Sequence, residues 1–143
     1  MNAWEAACHH EAGHAVIARV LGVPVRCVEI AAAPDDLGSC IHTIPAAADL
    51  DIMITMAGPL AESRCTGQPV DWIDWGHRDD ATIRELLPRA ERSREALEIE
   101  TAAMIDEHWR AIGFIADELL TIRRIDGEYL DELIAAARDD FDA

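Results

Sequence analysis

The stretch Cys8-His9-His10-Glu11-Ala12-Gly13-His14-Ala15-Val16 contains one HExxH motif, and its frame is unambiguous. His10 and His14 stand four apart with Glu11 after the first, whereas the partner that His9 would need is Gly13. Residues four apart on a helix lie one above the other, so both imidazoles can reach a single zinc ion. Glu11 then sits beside the ion, placed to take a proton from a water activated there. The bland alternative is a pair of histidines on a buried helix face with no metal. Equal thermal stability with and without a chelator would mark that case.

The flanks predict a helix of about twenty residues. Asn2 is a good N-cap and Glu5 falls three later, a variant of the capping box. Ala3, Ala7, His10, His14, Ile17 and Leu21 recur at helical spacings, and Gly22 with Pro24 supplies the stop. The histidines thus fall on the stripe expected to be buried.

Bulk properties narrow the function classes. The 143 residues fit one domain, residues 1–143, and half are hydrophobic, enough for a sizeable core. A formal charge of −16 argues against a nucleic-acid or anionic-membrane surface, and every cationic side chain is arginine. No apolar run is long enough to span a bilayer and no basic-then-apolar leader opens the chain, so a cytoplasmic location is expected. Cys8, Cys27, Cys40 and Cys65 show no CxxC spacing, which points to reduced thiols rather than a four-thiolate site or a disulfide framework. Cys8, close to the proposed metal, is expected to be the oxidation-sensitive one.

Along the chain, Val25 to Ile30 alternates and reads as a strand; residues 33–38 form a turn, and Ser39 to Ile44 is a second strand. The edge of this hairpin offers unpaired main-chain groups to an extended peptide, with His42 on or near it. Pro45 leads into a helical segment whose apolar face is Ile52, Met53, Met56, Ala57, Leu60 and Ala61. Gly58-Pro59 is expected to interrupt and kink it, the small residues allowing close approach to the first helix. Glu62 is either a third metal ligand or, preferably, an acceptor that orients a ligand histidine. A loop with several acids leads into a short helix through Ile83, Leu86 and Leu87, with Asp79 and Asp80 in its first turn. Aspartate there is a normal dipole and capping preference. A catalytic zinc, however, takes three protein ligands, and an aspartate at a helix start is a rigid source for the third. Asp71, Asp74 and His77 are alternatives. From Arg89 a helical pattern runs through Ala96, Ile99, Ala103 and Met104 to Trp109, Ile112, Ile115, Ala116, Leu119 and Leu120. Asp126 caps a last helix through Tyr129, Leu130, Leu133, Ile134 and Ala137. The fold class is α+β and mostly α-helical, with an HExxH helix, a small β-hairpin and a C-terminal helical bundle.

With these segments assembled, the chain resembles the peptidase domain of FtsH-type zinc metallopeptidases, the proteolytic half of AAA proteases. The likeness rests on the HEAGHAV helix, the hairpin from Val28 to Pro45, Ala57-Gly58-Pro59-Leu60-Ala61-Glu62, and the aspartate-led helix at Asp79. It also takes in the run from Trp109 to Leu133, with its Ile125-Asp126-Gly127-Glu128 step. The resemblance implies a zincin-like fold, Zn²⁺ as cofactor and a polypeptide substrate. It implies an aspartate as third ligand, followed four residues later by a small apolar residue. Asp79 places Ile83 there and Asp80 places Arg84, so the resemblance selects Asp79. Arg78 replaces the family's usual asparagine and the alanine-threonine step is shifted. The 143 residues contain neither an ATPase module nor a membrane span, so unfolding of substrates would fall to a separate ATPase partner, and self-assembly into a homo-oligomer is the other arrangement the family suggests. The expected function is metallopeptidase activity on peptides or unfolded chains, with Glu11 as general base. The alternative is a non-catalytic binding or regulatory module of the same fold, its zinc closed by a fourth protein ligand such as Cys8 or His77.

Overall fold

The computed structural model describes residues 2–30, 38–73 and 76–142, with backbone alone over 139–142. The described elements run in the order α1 (Ala3–Val20), β1 (Val25–Glu29), β2 (Ser39–His42), α2 (Ala48–Thr66), α3 (His77–Leu86), a 3₁₀ turn (Leu87–Arg89), α4 (Arg94–Glu107), α5 (Trp109–Ile122), β3 (Arg124–Asp126) and α6 (Gly127–Asp142). This is a mostly helical α+β fold around a small antiparallel sheet. No helix of the described residues is long and apolar enough to cross a membrane.

The first helix begins where capping chemistry places it: the Asn2 side chain accepts from the Glu5 backbone N–H at 2.9 Å. It ends at Leu21, and Gly22 takes the left-handed conformation with φ +79°. The expected single buried stripe is too narrow a description. Ala7, Cys8, His10 and every residue from Glu11 to Ala18 are buried, so α1 is enclosed on nearly all sides, while Ala3 lies exposed. Such a helix forms the centre of a core rather than one face of it. Its neighbours include α2 and α5, and the approach to α2 is close. A Cβ added at Gly13 would lie 2.5 Å from the Ala57 carbonyl oxygen and 2.6 Å from Ala61 Cβ.

Helix α2 departs from expectation in being one continuous helix through Gly58-Pro59. Pro59 cannot donate to the Thr55 carbonyl, a loss that ordinarily breaks a helix in water. Here Ile52 through Pro59 are all buried, and burial against α1 outweighs the missing bond. Gly67, left-handed at φ 74°, ends it.

The sheet has the order β2-β1-β3, so the hairpin gains a third strand that the sequence reading missed. Val28 pairs with Cys40 on one side and Ile125 on the other, both antiparallel. The turn assigned to residues 33–38 lies, apart from Gly38, outside the described residues.

Two further corrections concern the C-terminal run. It is not continuous from Arg89: Ser93 caps α4, and the chain breaks at His108 between α4 and α5. The buried face of α4 is Leu97, Thr101 and Ile105, not Ala96, Ile99 and Ala103; Ile99 is 66 % exposed. Helix α6 starts as expected, with the Tyr129 N–H donating to Asp126 Oδ1 at 2.8 Å.

Two hydrophobic clusters fix the elements that matter below. The larger joins α1 to β1, α2, α4, α5, β3 and α6. The smaller gathers Ile52, Met53 and Met56 of α2, Ile83 and Leu86 of α3, and Leu97 of α4. This second cluster seats α3 against α2.

Candidate metal centre

Two elements deliver the candidate ligands. His10 and His14 project from α1 one turn apart, their rings 4.8 Å between centroids and edge-on at 74°. Asp79 comes from the first turn of α3. Its partner four residues on, Ile83, is fully buried in the α2–α3 cluster, so the face that anchors α3 also turns Asp79 inward. Asp79 Oδ2 lies 2.9 Å from His10 Nε2 and 3.5 Å from His14 Nε2. One ligand atom from each of the three residues lies within 4.8 Å of the other two, a group able to hold a metal ion.

The outer nitrogens of both imidazoles are already engaged. His10 Nδ1 lies 3.2 Å from Glu62 Oε1, and His14 Nδ1 lies 2.8 Å from the Ile54 carbonyl. A ring that donates its Nδ1–H to such an acceptor presents the Nε2 lone pair to an ion, and the acceptor holds the ring in place. Both Nε2 atoms point to Asp79. Room for them depends on α2: a Cβ added at Gly58 would sit 2.2 Å from His14 Nε2 and 2.7 Å from His10 Nε2.

Glu11 is 3 % exposed, and its Oε2 is the one buried side-chain oxygen without a hydrogen-bond partner among the described residues. Its other oxygen lies 3.9 Å from His14 Nε2. A buried carboxylate with an unanswered oxygen is unfavourable unless something in the cleft meets it. Imidazoles held by acceptors on their outer nitrogens, an adjacent carboxylate, the Gly58 clearance and this orphaned oxygen all fit a bound cation with a water beside it.

The charges are strongly coupled. Burial pulls His10 towards its neutral form, but hydrogen bonds to Asp79 and Glu62 outweigh it and raise its pKa to about 10. His14 is likewise raised: burial opposes, and the Asp79 charge and hydrogen bond prevail. Burial alone would raise Asp79, yet the charge of His14 and the hydrogen bonds to both histidines hold it well below the usual carboxylate range. Glu11 is pushed up, chiefly by burial, with His14 and His10 pulling the other way. The site therefore attracts positive charge, which protons or a metal ion can supply.

The remaining candidates fall elsewhere. Asp80 pairs with Arg94 at 2.6 Å and Arg84 at 2.9 Å and is not a member of the ligand group. Glu62 takes the orienting position on His10 Nδ1, not a place among the ligand atoms. Asp71, Cys8 and His77 are not members of the group, and Asp74 lies outside the described residues. Cys8 is fully buried in the main core, where burial raises its thiol pKa to about 12, so the expected oxidation-sensitivity has no basis.

The site opens into a cleft of about 220 Å³ bounded by α1, α2, α3 and the β2 edge. Beyond His10, Glu11, His14 and Asp79, its walls carry Ser39, Cys40, His42, Thr55, Arg78 and Thr82. His42 thus contributes to the cleft. A larger hollow of about 330 Å³ opens on the Glu62 side of His10; Glu11, His14 and Asp79 take no part in its walls. Sequence reasoning missed the Ile54 carbonyl and the steric role of Gly58, because neither a main-chain acceptor nor a clearance has a motif.

No protein-family model matches the chain, and no curated protein matches it.

Proposed function

We infer that the protein is a zinc-dependent metallopeptidase that hydrolyses peptide bonds in peptides or unfolded polypeptides. The observation that carries this reading is Glu11 Oε2, buried and unpartnered beside the His10–His14–Asp79 group. A purely structural ion needs no carboxylate next to it, whereas hydrolysis needs a base there. The resemblance of the HEAGHAV helix and its companions to FtsH-type peptidases supports the same reading.

His10, His14 and Asp79 would hold the zinc, Glu62 and the Ile54 carbonyl fixing the two rings. When bound, zinc supplies Lewis acidity, which lowers the pKa of water and polarises a carbonyl. Glu11 takes the proton from the attacking water and passes it to the leaving amine. The β2 edge, which among the described residues has β1 on one side only, would give an extended substrate main-chain partners along the cleft.

The test is cleavage of a fluorescently labelled unfolded polypeptide by zinc-loaded wild type and Glu11→Gln in parallel. The wild type is expected to cleave, and the variant to bind one zinc while losing roughly 10²–10⁴-fold in turnover. Equal cleavage by both, or none by the wild type across a peptide library, overturns the reading.

A further inference from the structure

In this acidic chain the cleft wall contains one arginine. The chain carries 28 Asp and Glu against 12 cationic residues. Among the described residues, Arg19, Arg64, Arg84, Arg92, Arg94 and Arg124 each hold a carboxylate. Arg84 and Arg94 both grip Asp80, two residues from Arg78. Among the described residues Arg78 has no such carboxylate partner: it is exposed, lines the cleft with Glu11 and Asp79, and its main-chain carbonyl accepts from Thr82 Oγ1 at 3.1 Å.

Position adds to the argument. Arg78 directly precedes Asp79, and no cis peptide intervenes, so the two Cα atoms are about 3.8 Å apart. Its place on the walls shared with Glu11 and Asp79 sets it beside the proposed reaction centre. It lies in the first turn of α3, where the helix dipole adds positive potential. The guanidinium fork matches a carboxylate bidentately, and the Ser39 hydroxyl on the same walls offers a further donor.

We propose that Arg78 is the specificity-determining residue of the cleft and binds a carboxylate of the peptide substrate next to the scissile bond. This rests on the peptidase reading above. The carboxylate comes from an acidic side chain or from a substrate C-terminus, and the two are separable by experiment.

Zinc-loaded Glu11→Gln serves as a binding protein, and fluorescence anisotropy reads its affinity for labelled peptides. One set scans a single Glu against Gln through a neutral, C-terminally amidated peptide. A second set compares free and amidated C-termini in the all-Gln parent. One Glu position or the free terminus is expected to bind about tenfold tighter than its neutral counterpart, the preference weakening with salt. Adding Arg78→Gln should bring that ratio close to one at unchanged zinc content, and Arg78→Lys should restore part of it. Absence of any carboxylate preference, absence of binding, or a preference that survives Arg78→Gln overturns the proposal. Cleavage by the unaltered protein separates the two readings. Equal cleavage of acidic and neutral peptides defeats the Arg78 assignment alone. A bound acidic peptide that is never cut defeats the peptidase reading alone.

Discussion

Glu62 Oε1 lies 3.2 Å from His10 Nδ1, a contact made between α2 and α1 across 52 residues of chain. It fixes which nitrogen of His10 faces Asp79. Glu62→Ala is expected to lower zinc affinity roughly 10–100-fold, and Glu62→Gln, which keeps an acceptor oxygen, by less. Competition with a chromophoric chelator measures both. Unchanged affinity in Glu62→Ala would remove the orienting role.

Gly58 should tolerate no side chain. The methyl of Gly58→Ala would come within 2.2 Å of His14 Nε2, so one of the two rings must move. The expected result is loss of stoichiometric zinc by elemental analysis with helical circular dichroism retained. A variant with full zinc content would show that the rings have slack the packing does not suggest.

The two adjacent aspartates predict opposite phenotypes. Asp79→Asn removes the carboxylate 2.9 Å from His10 Nε2 and should abolish tight zinc binding. Asp80→Asn weakens ion pairs to Arg84 and Arg94, whose loss should lower thermal stability while zinc stays bound. Isothermal titration of both variants checks the contrast, and a reversal would reassign the third ligand to Asp80.

The chelator-stripped protein should lose stability as pH rises from about neutral to 10. Its folded-state His10 pKa, about 10, lies above the ordinary 6.5. The stabilisation from that proton is therefore complete below pH 6.5 and lost as pH climbs through the folded value. Glu11, raised by burial, acts in the same direction, since its ionised form is the disfavoured one. Zinc binding runs the other way, because protons compete for the histidines. The gap in Tm between zinc-loaded and stripped protein should widen across this window; a constant gap would contradict the His10 coupling.

What could be read from the sequence follows from how local each feature is. The α1 helix, its Asn2 cap and the spacing of His10, Glu11 and His14 are decided within one segment, and so they are legible. The capping Asp126 is legible for the same reason. Asp79 and Asp80 are chemically identical neighbours, and only the docking of Ile83 on α2 tells which one turns inward. Residue chemistry therefore left them open, and the resemblance favoured Asp79. Strand β3 is three residues, too short for its single alternation to mark a strand, and it forms by pairing with β1. The continuity of α2 through Pro59 depends on burial, which propensity does not contain. Ile99 and Leu97 compete for the inner face of α4, and periodicity alone chose the wrong one.

The docking of α3 on α2 also has a consequence for the order of events during synthesis. His10 meets Asp79 across 69 residues, so the trio is incomplete until α3 has emerged and seated itself. A growing chain that displays only the HExxH helix has two histidines and a base, but no closed ligand set. On the peptidase reading, hydrolytic competence would therefore arrive with the folded state, and a nascent chain would stay latent until its own α3 has docked.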